Sequence, residues 1–145
     1  MPELNFTPEQ RAAIDTRGST VLVSAAAGSG KTRVLTERLM AYLTDAENPV
    51  DIDRFLVITY TRAAAAELRS RILDGIYARI ASDPENRRLR RQVALCARAE
   101  IGTIHSFCAD FLRANCAALA LAPDFQVADT ERCIALRTTA LEHTL

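Results

Sequence analysis

The sequence predicts an α/β fold, a parallel sheet flanked by helices with a phosphate-binding loop at one strand-to-helix turn. Three observations carry that expectation. Short β-rich runs alternate with segments of helical period. The segments between those runs are long enough for the crossovers that parallel strands require. The run Ala25-Ala26-Ala27-Gly28-Ser29-Gly30-Lys31-Thr32 falls where the first strand gives way to a helix.

The elements follow in order. Thr7 as N-cap, Pro8 at the first helical position and Gln10 three residues after the cap predict a helix from Pro8 to about Asp15. Gly18 then releases the chain into Thr20–Ser24, read as a short buried strand. After the loop a helix is expected from about Lys31 to Leu43, with Leu35, Leu39 and Leu43 on one face. Phe55–Tyr60 reads as a second strand, apolar enough to be covered on both faces. Thr61 can cap a helix reaching about Ala81, whose apolar face carries Leu68, Ile72, Ile76 and Ile80. Asp83 and Pro84 open a further helix to about Ala97. Ile101–Ile104 is a third strand candidate, and a helix from about His105 to Ala118 follows. Phe125–Val127 reads as a short strand or extended piece, and a last helix begins near Asp129. That helix runs out at Leu145, so the chain is expected to be part of a longer protein.

Composition narrows the function classes. The 145 residues are 25% charged and 49% hydrophobic, which excludes a disordered chain, a fibre and a disulfide-stapled miniature. The formal net charge is zero, which excludes binding of nucleic acid by bulk attraction but leaves room for a local positive face. Cys96, Cys108, Cys116 and Cys133 form no CxxC pair, and the chain has two histidines, His105 and His143. Buried free thiols are expected, with no structural metal. No apolar run approaches the length of a membrane span, and the acidic Glu3 stands where a signal peptide would be basic. The default location is the cytoplasm.

The loop carries the chemistry. Gly28 and Gly30 permit backbone angles that turn successive N–H groups into one concavity. Those amides and the helix N-terminus behind them suit a β-phosphate. Lys31 would bridge the β- and γ-phosphates, and the Thr32 hydroxyl would ligate magnesium, so a nucleotide and Mg2+ are expected here, though the loop alone fixes neither substrate nor hydrolysis. Ala25 departs from the usual pattern, which has glycine there. The competing reading is an incidental turn of small residues. Against it stands the coincidence of strand, loop, Lys-Thr and helix, and the fact that Lys31 is the one lysine beside 17 arginines. No apolar run ending in an Asp-Glu pair follows, and Asp53, just ahead of a strand, is in the wrong place for a magnesium partner.

Further motifs stand in fixed order around the loop. Phe6-Thr7-Pro8-Glu9-Gln10 precedes it. Ile58-Thr59-Tyr60-Thr61-Arg62-Ala63-Ala64-Ala65-Ala66-Glu67-Leu68 and Gly102-Thr103-Ile104-His105-Ser106-Phe107-Cys108 follow it. In this the chain resembles the N-terminal part of superfamily 1 DNA helicases of the UvrD/Rep type, above all the AddA-type component of bacterial AddAB helicase–nucleases. The resemblance spans essentially the whole chain. It implies a RecA-like ATP-binding lobe (1A) over residues 1–118, with an arginine-rich helix at 84–97, and the start of a helical 1B insertion at 119–145. It implies an ATP-driven motor that translocates on single-stranded DNA in double-strand-break repair, and its partner would be an AddB-like nuclease subunit. These residues by themselves are expected to bind nucleotide and, weakly, DNA, without unwinding or nuclease activity.

The same resemblance assigns residues. Gln10 would read the adenine edge, although as a capping-box glutamine it has a structural use as well. Ala25 through Thr32 and Arg33 complete the ATP-binding set. Tyr60, Thr61 and Arg62 match a motif that contacts single-stranded DNA, where Phe and Asn are more usual at the first and third places. Tyr60 retains a stacking surface, but by itself it reads more often as a strand-end core residue, and Ala63–Ala66 as a close-packed helix face. Thr103, His105 and Ser106 match a second DNA-contacting motif, with simple capping or packing as the alternative for His105 and the core for Phe107. The helix around Arg87–Arg91 would either follow phosphates or present a solvated face. Two other classes compete: a small phosphate-loop kinase with an arginine-rich lid, and a nonenzymatic nucleic-acid-binding module.

Overall fold

A computed structural model describes residues 5–144; Glu3 lies outside the described residues. Two compact units divide after Ile104.

In the first unit α1 spans Pro8–Asp15 and α2 Lys31–Leu43. A 3₁₀ turn at Ile52–Arg54 leads into β1, Leu56–Thr59, and α3 follows as Arg62–Ser82. Helix α4, Arg87–Cys96, returns the chain to β2, Glu100–Thr103. The two strands pair in parallel with Val57 opposite Ile101 and Thr59 opposite Thr103. The expected caps at Thr7 and Thr61 form, but Asp83 and Pro84 do not open α4, which is capped by Asn86 instead. Thr7 Oγ1 accepts the Gln10 N–H at 3.3 Å, Thr61 Oγ1 accepts that of Ala64 at 3.0 Å, and Asn86 Oδ1 that of Leu89 at 3.1 Å.

The core lies where α2 and α3 meet the sheet. Leu39, Met40 and Leu43 pack with Leu68, Ile72 and Ile76, and with Val57, Leu95, Cys96 and Ile101. Gly75 permits the close approach of the two helices. A Cβ there would stand 3.2 Å from Met40 Sδ, tighter than ordinary contact. Leu35, expected on the same face as Leu39 and Leu43, is instead exposed.

Helix α4 is tethered more than its charge suggests. Arg88 Nη2 stands 3.0 Å from Asp51 Oδ1, and Arg91 Nη2 stands 3.4 Å from Asp51 Oδ2. The fully buried Gln92 donates to Asp51 Oδ1 at 2.7 Å and accepts the Ile52 N–H at 2.8 Å. Arg69 of α3 donates to the carbonyls of Cys96, Ala99 and Ile101, which ties the end of α4 and the start of β2 to α3. Arg87, Arg90 and Arg91 are exposed, Arg91 reaching Asp51 from the surface, while Arg88 is partly buried beside it.

Two expectations about strands need correction. Thr20–Ser24 forms no ladder, and Leu22 is 91% exposed. A strand exists by pairing, and β1 and β2 pair with each other rather than with this run. Strand β1 is not fully covered on both faces: Val57 is buried in the core with residues of α3, while Leu56 and Ile58 are about half exposed. Of the two readings of Phe125–Val127, the strand does not form.

The second unit comprises α5, Ile104–Ala114, from His105 onward, a 3₁₀ turn at Cys116–Leu119, and α6, Thr130–Glu142. Asp129 caps α6, its Oδ1 accepting the Arg132 N–H at 2.8 Å. Phe107 and Phe111 stack loosely at 6.2 Å, and Arg113 lies 5.6 Å from the Phe125 ring. Phe107 is half-buried rather than a core residue. All four cysteines are free, but only Cys96 is buried. Cys108 is exposed and Cys116 and Cys133 are intermediate, in keeping with α5, the 3₁₀ turn and α6, none of which has a buried residue. No helix among the described residues is long and apolar enough to cross a membrane.

Candidate nucleotide and DNA site

The loop has the backbone of an anion cradle. Gly28 and Gly30 take φ of 77° and 85°, the left-handed region that glycine enters at little cost. Gly30 is the N-cap of α2 and brings no side-chain acceptor, so the first N–H groups of that helix stay available to an anion. Lys31 Nζ folds back on the loop and donates to the carbonyls of Ala25 and Ala26, both at 2.7 Å. The exposed Thr32 stands one residue on, its side chain free to serve as an oxygen ligand, while its carbonyl accepts the Thr36 hydroxyl at 3.0 Å. The donor set of an ammonium, a hydroxyl and uncapped helix amides suits a polyphosphate and its magnesium.

Gln10 joins this loop through space. Its Oε1 accepts the Thr7 N–H at 3.0 Å, closing the capping box, and its Nε2 donates to the Ser29 carbonyl at 3.1 Å. The structural use foreseen for Gln10 is therefore real, and the loop contact comes in addition. A cleft of about 550 Å³ opens between α1 and the segment 21–25, with Gln10, Ser29 and Lys31 in its lining. Arg33 lies against the Phe6 ring, 4.7 Å from its centroid, with Arg11 at 5.4 Å on the same ring.

Sequence reasoning missed Arg71. It lines a second cleft, about 250 Å³, together with Gly28, Gly30, Lys31, Thr32 and Arg33, and brings another cation to the loop. In the structure it is paired with Glu67 at 2.6 Å. From the sequence that pair reads as an ordinary i,i+4 surface pair, and no motif pointed to it.

The second group of candidates sits at the C-terminal ends of the strands. Tyr60 is fully exposed, which removes the core reading. Within Ala63–Ala66 only Ala65 is buried, so the run is no close-packed face. Thr61 caps α3 with its oxygen lone pair and keeps its own hydroxyl hydrogen, and Arg62 starts the helix exposed. Thr59 Oγ1 donates to the Thr61 carbonyl at 2.9 Å and fixes the turn that presents Tyr60. Thr103 ends β2 beside Thr59. His105 and Ser106 stand in the first turn of α5, both exposed, in the second unit. Asp53 lies in the 3₁₀ turn before β1, at the opposite end of the strand from Thr59.

A parallel sheet, flanking helices and a glycine loop at the mouth of α2 define a RecA-like phosphate-loop domain. The family model for the UvrD/REP helicase N-terminal domain matches residues 6–145. The chain belongs to that family. It is 51% identical over 138 residues to the A-type component of the ATP-dependent helicase/nuclease of Clostridium acetobutylicum, covering 95% of this chain and 11% of that protein. The proteins of the same description from Thermoanaerobacter sp. (strain X514) and Clostridioides difficile are 50% and 44% identical over 137 and 142 residues. Those matches cover 94% and 98% of this chain and 11% of each relative. The chain thus spans about a tenth of the length of the curated relatives it matches.

Proposed function

We propose that this chain is the nucleotide-binding portion of an ATP-dependent DNA helicase–nuclease that acts in double-strand-break repair beside an AddB-like nuclease subunit. The observation that carries the reading is the loop itself: left-handed Gly28 and Gly30, an uncapped α2 and Lys31 poised on the carbonyls of Ala25 and Ala26. On a bound nucleotide, Lys31 exchanges those carbonyls for the β- and γ-phosphates, and the amides of Ala27 to Thr32 cradle the β-phosphate. Thr32 holds the magnesium ion, Gln10 meets the adenine edge, and Arg33 leaves Phe6 for the nucleotide. ATP with Mg2+ supplies the free energy for movement along DNA.

Tyr60 stacks on a base of single-stranded DNA, while Thr61, Arg62, Thr103, His105 and Ser106 contact phosphate or sugar. Residues 1–118 form the ATP-binding lobe in this reading, and 119–145 begin its helical insertion. The full exposure of Tyr60, on the turn that Thr59 fixes, supports the stacking role, since the ring face is open to a base. Helix α3 then links the two groups: Tyr60 to Arg62 lie at its start, and Arg71 lies about 13 Å further along its axis, at the loop.

The test separates the two halves of the site. Tyr60→Ala should weaken binding of an oligothymidylate by about 5- to 150-fold, the worth of one stacked base, and leave ATP affinity unchanged. Lys31→Ala should do the converse. Fluorescence anisotropy and calorimetry on the same preparations give both numbers. DNA affinity that ignores Tyr60 would remove the DNA-contact assignment.

A further inference from the structure

Helix α1 has only eight residues, and a helix that short does not hold by itself in water. Its N-terminus is closed by the capping box. At the other end the Thr16 N–H satisfies the Ala12 carbonyl, which leaves Ala13 and Ile14 in want of donors. Arg38 of α2 supplies them: its Nη1 donates to the Ala13 carbonyl and reaches that of Ile14 at 3.5 Å. Arg17 Nη1 adds a bond to the Ile14 carbonyl at 2.6 Å. Both guanidiniums rest on Tyr42, Arg17 at 4.0 Å and Arg38 at 5.4 Å from the ring centroid, and Arg38 Nη2 donates to Tyr42 Oη at 3.3 Å. The ring is held in turn by the edge of Phe55 at 5.6 Å.

One turn upstream of Ala13 stands Gln10. Its carboxamide spends one acceptor on Thr7 and one donor on Ser29, which fixes its orientation. One N–H and one lone pair remain. Adenine presents the complementary pair, a donor at N6 and an acceptor at N7, whereas guanine presents two acceptors, O6 and N7. Discrimination between them therefore requires that α1 hold this amide still relative to the loop.

We propose that Arg38 is a positioning residue for base selection. By anchoring the last turn of α1 to α2, about 10 Å along that helix from Lys31, it locks Gln10 against the phosphate loop and so sets the preference for ATP over GTP. The proposal rests on the reading of the loop and of Gln10 given above, and it adds a residue that no motif singles out.

The experiment measures ATP, GTP and inorganic tripolyphosphate binding by calorimetry to the full chain and to Arg38→Ala, Arg38→Lys and Gln10→Ala. Arg38→Ala should cut the ATP-over-GTP preference about tenfold, with tripolyphosphate affinity held within about twofold. Arg38→Lys should restore part of the preference, since an ammonium still donates to the Ala13 carbonyl. Arg38→Ala on the Gln10→Ala background should cause no further loss. An unchanged preference in Arg38→Ala overturns the proposal. So does an equal loss of ATP and tripolyphosphate, the mark of a merely structural role. If Arg38→Ala does not fold by circular dichroism, Arg38→Lys carries the test: a preference equal to that of the unaltered chain at reduced affinity for all three ligands overturns it. Failure of the unaltered chain to bind tripolyphosphate would instead strike the phosphate-loop reading, and this proposal with it.

Discussion

Lys31 and Cys96 show how differently a side chain is constrained by its surroundings. Lys31 is solvent-facing and pinned only by two carbonyls, bonds that a phosphate can replace with stronger charge-assisted ones. Cys96 is enclosed by the core, and burial pushes its thiol up from the usual range despite the opposing charge of Arg69. The thiolate is the reactive form, so Cys96 should resist alkylation and the exposed Cys108 should not. Timed iodoacetamide labelling with peptide mass spectrometry should find Cys108 modified about tenfold or more ahead of Cys96 at mildly alkaline pH. Comparable rates would mean that the enclosure of Cys96 opens readily. At this scale the sequence was legible for the loop, because Gly-Ser-Gly-Lys-Thr encodes backbone angles and charge directly. It was not legible for Cys108, whose exposure depends on what its helix packs against, nor for Arg71, whose role follows from where α3 crosses α2.

Between elements, two contacts hold the sheet, α2 and α4 in place. Gln92 is fully buried with both ends of its amide used, and it carries the entry to β1. Gln92→Leu keeps the volume but strands the Ile52 N–H and takes one donor from the Asp51 carboxylate, which keeps Arg88 and Arg91. It should lower stability by about 1–3 kcal/mol, read from the midpoint of urea unfolding. Gly75→Val should cost about 1–3 kcal/mol in the same assay, since its branched side chain would drive into Met40. A variant as stable as the parent at either position would contradict the packing of these elements. The helices themselves were largely readable from caps and period, although the start of α4 at Asn86 was expected at Asp83 and Pro84. Thr7, Thr61, Asn86 and Asp129 each act through a side-chain oxygen, a local property of the chain. Strands are a different case. The run 20–24 has strand composition but no ladder partner among the described residues, and pairing is not a local property.

Taken as a whole, the chain carries its charge in balance and places its cations locally. Lys31, Arg33 and Arg71 meet at the phosphate loop, while Arg88 and Arg91 are engaged with Asp51. Net neutrality is therefore compatible with an anion site, since what acts on a phosphate is the field at the loop. The family membership agrees with this arrangement, and the loop is the part of the molecule on which the functional reading depends. The most direct measurement is calorimetric titration of ATP with Mg2+ into the chain and into Lys31→Ala. Saturable binding by the parent, weakened about tenfold or more in the variant, is the expected result. Equal affinity in the two would contradict the phosphate-loop assignment.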